Sequence, residues 1–206
     1  GGSASPSGVP LVGVDEEAGV AVVGGPVVHE DYDGDYEFGA DTSGYGNYPF
    51  FTNLAYYLSE VDGDVFFEGG HRQFSTEGSM TVEGAAWYRR HLEGTGRRLR
   101  QVNSLTEALS GVTAASLVIS PPATEYTDAE VKAVSDFLEG GGSVILLGSA
   151  ASDNHDSLNA VAEALGTDVR VTDTRVTDPE KNVVRPEVPV SSEFDASYPL
   201  FGPHEP

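Results

Sequence analysis

SLVISPPATEYTDAEVKAVSDFLEGGGSVILLGS, residues 116–149, is the stretch whose reading decides the fold. Ser116–Ser120 is a nearly continuous apolar run closed by Pro121 and Pro122, as suits a strand covered on both faces at the middle of a parallel sheet. Thr127 with Glu130 three residues on has the capping-box spacing that opens a helix. Val131, Val134 and Leu138 follow at helical spacing. Gly140, Gly141 and Gly142 stop that helix, and Ser143–Leu147 is a second buried strand. A strand, a helix and a strand in this order predict a parallel β-sheet joined by crossover helices, with helices on both sides.

Working outward, the same alternation continues over about residues 63–172. Asp64–Phe67 reads as a strand, Ser79–Leu92 as a helix, Arg98–Val102 as a strand and Leu105–Leu109 as a short helix. On the other side, Asp156–Leu165 reads as a helix ending at Gly166, and Asp168–Thr172 as a closing strand. Toward the N-terminus, Val9–Val14 and Gly19–Val23 are β-like runs joined by an acidic turn at Asp15–Glu17. A helix carrying Phe50, Leu54, Tyr57 and Leu58 on one face then leads into the first central strand. After Val176, prolines at 179, 186, 189, 199, 203 and 206 exclude a central strand or a long helix. That tail is expected to wrap the surface, anchored by Phe194, Tyr198, Leu200 and Phe201. Residues 1–8 read as a linker or an expression remnant, and 9–206 as a single α/β domain with its central unit at about 63–172 and the proline-rich tail at 177–206.

The chain of 206 residues carries 33 acidic against 11 basic side chains, a formal charge of −22. The carboxylates are spread along the whole length, the pattern of a solvated acidic surface suited to salt, which screens their mutual repulsion. Such a field disfavours nucleic acid and anionic lipid as partners. There is no cysteine, which removes disulfides, thiolate metal sites and cysteine nucleophiles. No apolar run reaches the length of about 18 residues needed to cross a bilayer. The expected location is the cell exterior or surface, although a cysteine-free chain also fits the cytoplasm of a salt-loving cell.

The segment Glu125–Ser149 resembles the class I glutamine amidotransferase-like superfamily, and more narrowly its non-catalytic branch. That branch occurs in uncharacterised haloarchaeal proteins and in gliding-motility and intraflagellar-transport type domains. VFFEGGHRQF at 65–74, FFTNL at 50–54 and VTDPEKN at 176–182 resemble the same group. The resemblance implies a halophilic, archaeal α/β protein with a flavodoxin-like three-layer sandwich and a mainly parallel sheet. In that group the helix around Phe50 follows the final strand, whereas here it precedes the first. The order implies either a permuted arrangement or a piece cut from a longer multidomain protein. Amidotransferases of this group act through a cysteine, so its lack implies no glutaminase activity.

In open parallel sheets ligands bind at the carboxyl ends of the strands. That rule gathers Glu68, Gly69, Gly70 and His71, then Ser120, then Ser149 with Asp153, Asn154 and His155. Gly69 and Gly70 would let backbone approach a ligand closely, and His71 could act as acid, base or ligand. Ser149 stands where a nucleophile elbow would sit, but its surroundings lack the hydrolase Gly-x-Ser-x-Gly pattern. The ligand set expected here is therefore Gly69, Gly70, His71, Ser120, Ser149, Asn154 and His155, without catalysis. The competing expectation is a metal-assisted or serine-dependent hydrolase using Glu68, His71 and Ser149.

Asp31, Asp33, Asp35, Glu37 and Asp41 alternate in one acidic stretch and could converge on calcium or magnesium through oxygen ligands. The spacing departs from the EF-hand, because Gly34 occupies the fourth position and no glutamate the twelfth. His29 beside it would be a further ligand, and an ordinary acidic loop is the plainer reading. Arg89, Arg90, Arg97, Arg98 and Arg100 form a local inversion of charge that suits a partner's carboxylates, an anionic sugar or the protein's own acidic neighbours. Together these features favour a non-catalytic binding or scaffolding module of a larger protein, with a protein or carbohydrate partner.

Overall fold

The structure, a computed structural model, describes residues 10–30, 44–152, 154–183, 185–192, 194–195 and 197–201. Six strands form one sheet: β1 (Val12–Asp15), β2 (Val20–Val23), β3 (Asp64–Glu68), β4 (Leu99–Val102), β5 (Ala114–Ile119) and β6 (Ser143–Leu147). Their spatial order is β1-β2-β6-β5-β3-β4. β1 pairs antiparallel with β2 as a hairpin, and every other pairing is parallel. Five helices accompany the sheet: α1 (Asn47–Tyr57), α2 (Ala86–Gly94), α3 (Leu105–Ala108), α4 (Asp128–Glu139) and α5 (His155–Ala164).

The period of two along each strand divides the core into two layers. Ala21, Ile145, Val118 and Phe67 lie in one register row across the sheet. They pack with Phe51 and Leu54 of α1 and Tyr88 and Leu92 of α2. The adjacent row, Val22, Leu146 and Ile119, meets Leu105 of α3, Val134 and Phe137 of α4, and Leu158 and Val161 of α5. The result is an α/β three-layer sandwich of the flavodoxin-like kind, with α1 and α2 on one face and α3, α4 and α5 on the other.

The flavodoxin-like strand order is 2-1-3-4-5, and β4-β3-β5-β6-β2 reproduces it with the last strand moved to the front of the chain. The helix that would follow that last strand moves with it: α1 comes directly after β2 and precedes β3. The arrangement is therefore permuted.

Two expected elements differ. Asp168–Thr172 is not a strand, because the Asn159 amide takes up the backbone of Val171, donating to its carbonyl and accepting from its N–H at 2.9 Å each. The sheet position it would have filled belongs to β2. The expected helix from Ser79 begins only at Ala86, because Met80 bonds through its main chain to the Ser120 hydroxyl. In the tail, Phe201 stacks on Phe50 of α1 with centroids 5.9 Å apart, and Asn53 donates to the Leu200 carbonyl at 3.1 Å. Among the described residues no helix is long and apolar enough to cross a membrane.

Candidate functional site

The chain leaves β3 for β4 on one side and then returns to β5 on the other, so the crevice between the tips of β3 and β5 is the topological switch point. Glu68 closes β3 there with 1% of its surface exposed. A carboxylate so buried requires donors, and four surround it. Oε1 accepts from the Gly70 N–H at 2.6 Å and from His71 Nδ1 at 3.0 Å. Oε2 accepts from the Tyr126 hydroxyl at 2.9 Å and also from the Gln73 side-chain amide. The Gln73 carbonyl oxygen in turn accepts from the His71 N–H at 3.1 Å.

His71 bridges two carboxylates. Its Nε2 lies 3.4 Å from Glu130 Oε2, and its ring lies against Tyr126 with centroids 4.1 Å apart. Glu130 also completes the capping box of α4, whose N-cap is Thr127: Thr127 donates to it from its N–H at 2.9 Å and from its hydroxyl at 2.7 Å. Partial burial works to raise the Glu130 pKa, but the Thr127 bonds and His71 outweigh it and hold the carboxyl below the usual range. Burial, followed by the adjacent Glu68 carboxylate, pushes the Tyr126 hydroxyl well above its ordinary value. Gln73, Tyr126 and Glu130 were not among the residues expected here, and the one signal for them was a charged residue ending an otherwise apolar strand.

The expected ligand residues do gather at this end of the sheet, but their groups are engaged with their own chain. Gly70 is pressed on the Asn103 carbonyl, 2.3 Å from where a Cβ would stand, and Gly69 on the Gln101 side chain. Their lack of side chains serves this internal approach. Residues 78–80 form a strap across the tips of β5 and β6. The Ser120 hydroxyl accepts from Met80 N–H at 2.9 Å and donates to its carbonyl at 3.2 Å, and the Ser79 hydroxyl donates to the Pro121 carbonyl. Gly78 lies over Ser149 in a left-handed conformation, φ +75°.

The Ser149 hydroxyl accepts from the Ala151 N–H at 3.2 Å. His155 reaches the Ser149 main-chain carbonyl with Nε2 at 2.7 Å and Asp173 with Nδ1 at 2.6 Å. The Asn154 amide donates to the Pro122 carbonyl. Among the described residues no hydrogen bond joins a serine hydroxyl to a histidine ring, so the His71–Glu68 pair has the carboxylate and imidazole of a catalytic triad without its nucleophile. Comparison with family models, curated proteins and solved structures returns no match.

Asp31, Asp33, Asp35, Glu37, Asp41 and Asp153 lie outside the described residues. Among the described residues no three His, Asp or Glu side chains gather as a metal-binding set. His29 packs against Gly84, well inside contact distance of where a Cβ would be. The arginines meet acidic neighbours: Arg89 with Glu93, Arg97 with Asp62, and both Arg98 and Arg100 with Asp64. A shallow groove of about 720 Å³ runs between α4 and α5, with Tyr126, Asp128, Lys132 and Asp156 at its walls.

Proposed function

We propose that the chain is a non-catalytic binding or scaffolding module of a larger protein adapted to salt-rich surroundings outside the cell, recognising a protein or carbohydrate partner. The observation that carries this reading is the engagement of the strand-tip groups by the chain itself. Ser120 is held by Met80, Ser149 by Ala151, and His71 stands between Glu68 and Glu130. An acyl-transfer site needs a nucleophile within hydrogen-bond reach of its base, and among the described residues no such pair lies at these tips. Kinship with the non-catalytic amidotransferase-like branch belongs to the same proposal.

Recognition surfaces are enriched in aromatic side chains, and large ones remain outside: Phe74 is 77% exposed, Phe194 54% and Trp87 51%. The test is covalent labelling with a fluorophosphonate probe, together with turnover of nitrophenyl esters. No adduct and no turnover are expected. An adduct abolished by Ser149→Ala, or turnover abolished by His71→Ala, overturns the reading in favour of a hydrolase.

A further inference from the structure

We infer that the outer side of β4 takes up an extended acidic polypeptide segment as an additional strand. This deepens the binding-module reading and rests on it, naming the partner class and the surface.

Among the described residues β4 ends the sheet and pairs only with β3. The Val65 N–H donates to the Arg98 carbonyl and the Gly69 N–H to the Val102 carbonyl, both at 2.9 Å. In a parallel ladder alternate residues face alternate neighbours, so the main-chain groups of Leu99 and Gln101 point away from β3. No described element pairs with them. Edge strands are usually blunted by proline, a bulge or charge. β4 contains no proline and its register with β3 is regular, so what guards it is its length of four residues and a charge that is positive.

The charge selects the occupant. Arg98 and Arg100 share the single carboxylate of Asp64, with Arg98 Nε at 3.4 Å and Arg100 Nε at 2.6 Å. Two guanidinium groups on one carboxylate leave a positive surplus at the edge of a chain whose formal charge is −22. The two arginine side chains are 66% and 48% exposed. They are two residues apart, hence on the same face of the strand, where acidic side chains at every second position of an incoming strand would meet them as cross-strand pairs. On the opposite face of the sheet, where Leu99 packs, α2 lies against β4 and carries Arg90 over the half-exposed ring of Trp87 at 5.2 Å. Main-chain bonds along an open edge supply affinity and side chains supply selection, which is the logic of strand addition.

The probe is a dye-labelled peptide of about ten residues alternating Glu and Val, long enough to form one strand, titrated into the whole chain at about 0.15 M salt, where a Debye length of about 8 Å screens the distant carboxylates, and followed by anisotropy. Saturable binding is expected, with amide-exchange protection appearing at Leu99 and Gln101. The double variant Arg98→Glu, Arg100→Glu should weaken it by about tenfold or more. Gln101→Pro removes an outward N–H while keeping every charge, and should abolish binding. No binding, undiminished binding to a folded Gln101→Pro chain, or saturation without new protection at Leu99 and Gln101 would each overturn the inference. If Gln101→Pro fails to fold, the wild-type exchange pattern decides. Self-association in the absence of peptide that is lost in Arg98→Glu, Arg100→Glu would assign the edge to a second copy instead. Each of these failures leaves the binding-module reading standing, since that reading falls only to chemistry at the strand tips.

Discussion

Glu130 Oε2 lies 3.4 Å from His71 Nε2 and 2.7 Å from the Thr127 hydroxyl, so the third residue of α4, which closes its capping box, also fixes the imidazole at the tip of β3. A local helix signal and a tertiary site thus share one oxygen atom. The loop that carries His71 also contains the left-handed Arg72, φ 63°. The local cost of about 1–2 kcal/mol for such a residue is offset by the bonds that converge on Glu68 and His71.

Glu68→Ala is expected to destabilise the fold by about 2–4 kcal/mol, because it strands the donors of Gly70, His71, Gln73 and Tyr126 in a buried place. Glu68→Gln should recover little, since its amide would point a donor at donors. Urea unfolding checks this: the midpoint should fall at unchanged slope. A shift of less than about 0.5 kcal/mol, the size of an ordinary surface change, would show that the network does not hold the loop.

The lowered pKa of Glu130 gives a signed pH dependence. A carboxyl whose folded value lies below its unfolded one contributes stability that is fully present above the unfolded value, about 4.3. The contribution is lost as pH falls through the folded value. Glu130→Gln preserves the capping box and removes the charge. Its unfolding free energy should therefore lie below wild type at pH 7 and converge with it in acid. Parallel curves from pH 7 to pH 2 would contradict the assignment.

What the sequence made legible follows from how local each signal is. The Thr127–Glu130 box, the glycine stop and the runs Ser116–Ser120 and Ser143–Leu147 are contiguous, and each element stands where its pattern puts it. The place of the Phe50 helix left two readings open, a permuted order or a piece of a longer protein, and only the strand order shows the permutation. Asp168–Thr172 misled because its alternation is that of a strand, while the amide that claims Val171 sits twelve residues away on α5. The strand-tip site was half legible. Glu68 and His71 are three residues apart, but Tyr126 joins Glu68 across 58 positions, and no local periodicity announces such a partner.

Gly78→Ala should destabilise by about 1–3 kcal/mol for two separable reasons. Its φ of +75° is strained for any residue with a Cβ, and that Cβ would stand 2.2 Å from the Ser149 hydroxyl oxygen. Ser149→Gly removes the clash and leaves the strain. A double-mutant cycle should therefore show that the pair is less damaging than the sum of the singles, by about 0.5 kcal/mol or more. Strict additivity would mean that the strap moves aside freely, and the crevice below it would then be open to ligands.

The formal charge of −22 makes the compact state repel itself, and salt relieves this by shortening the Debye length from about 10 Å at 0.1 M to about 3 Å at 1 M. Potassium chloride is expected to raise the melting temperature by about 5–10 °C across that range, equivalent to a few kcal/mol for a chain of this size. Because the gain comes from screening, most of it should arrive below about 0.5 M and then level off. A rise that stays linear to several molar would point instead to salt exclusion from the protein surface, and a melting temperature indifferent to salt would show that the acidic surface does not strain the fold. Substituting Arg98 and Arg100 by Glu sharpens the test: it adds to the acidic excess and sets both side chains against Asp64, so the salt response should steepen at the β4 edge.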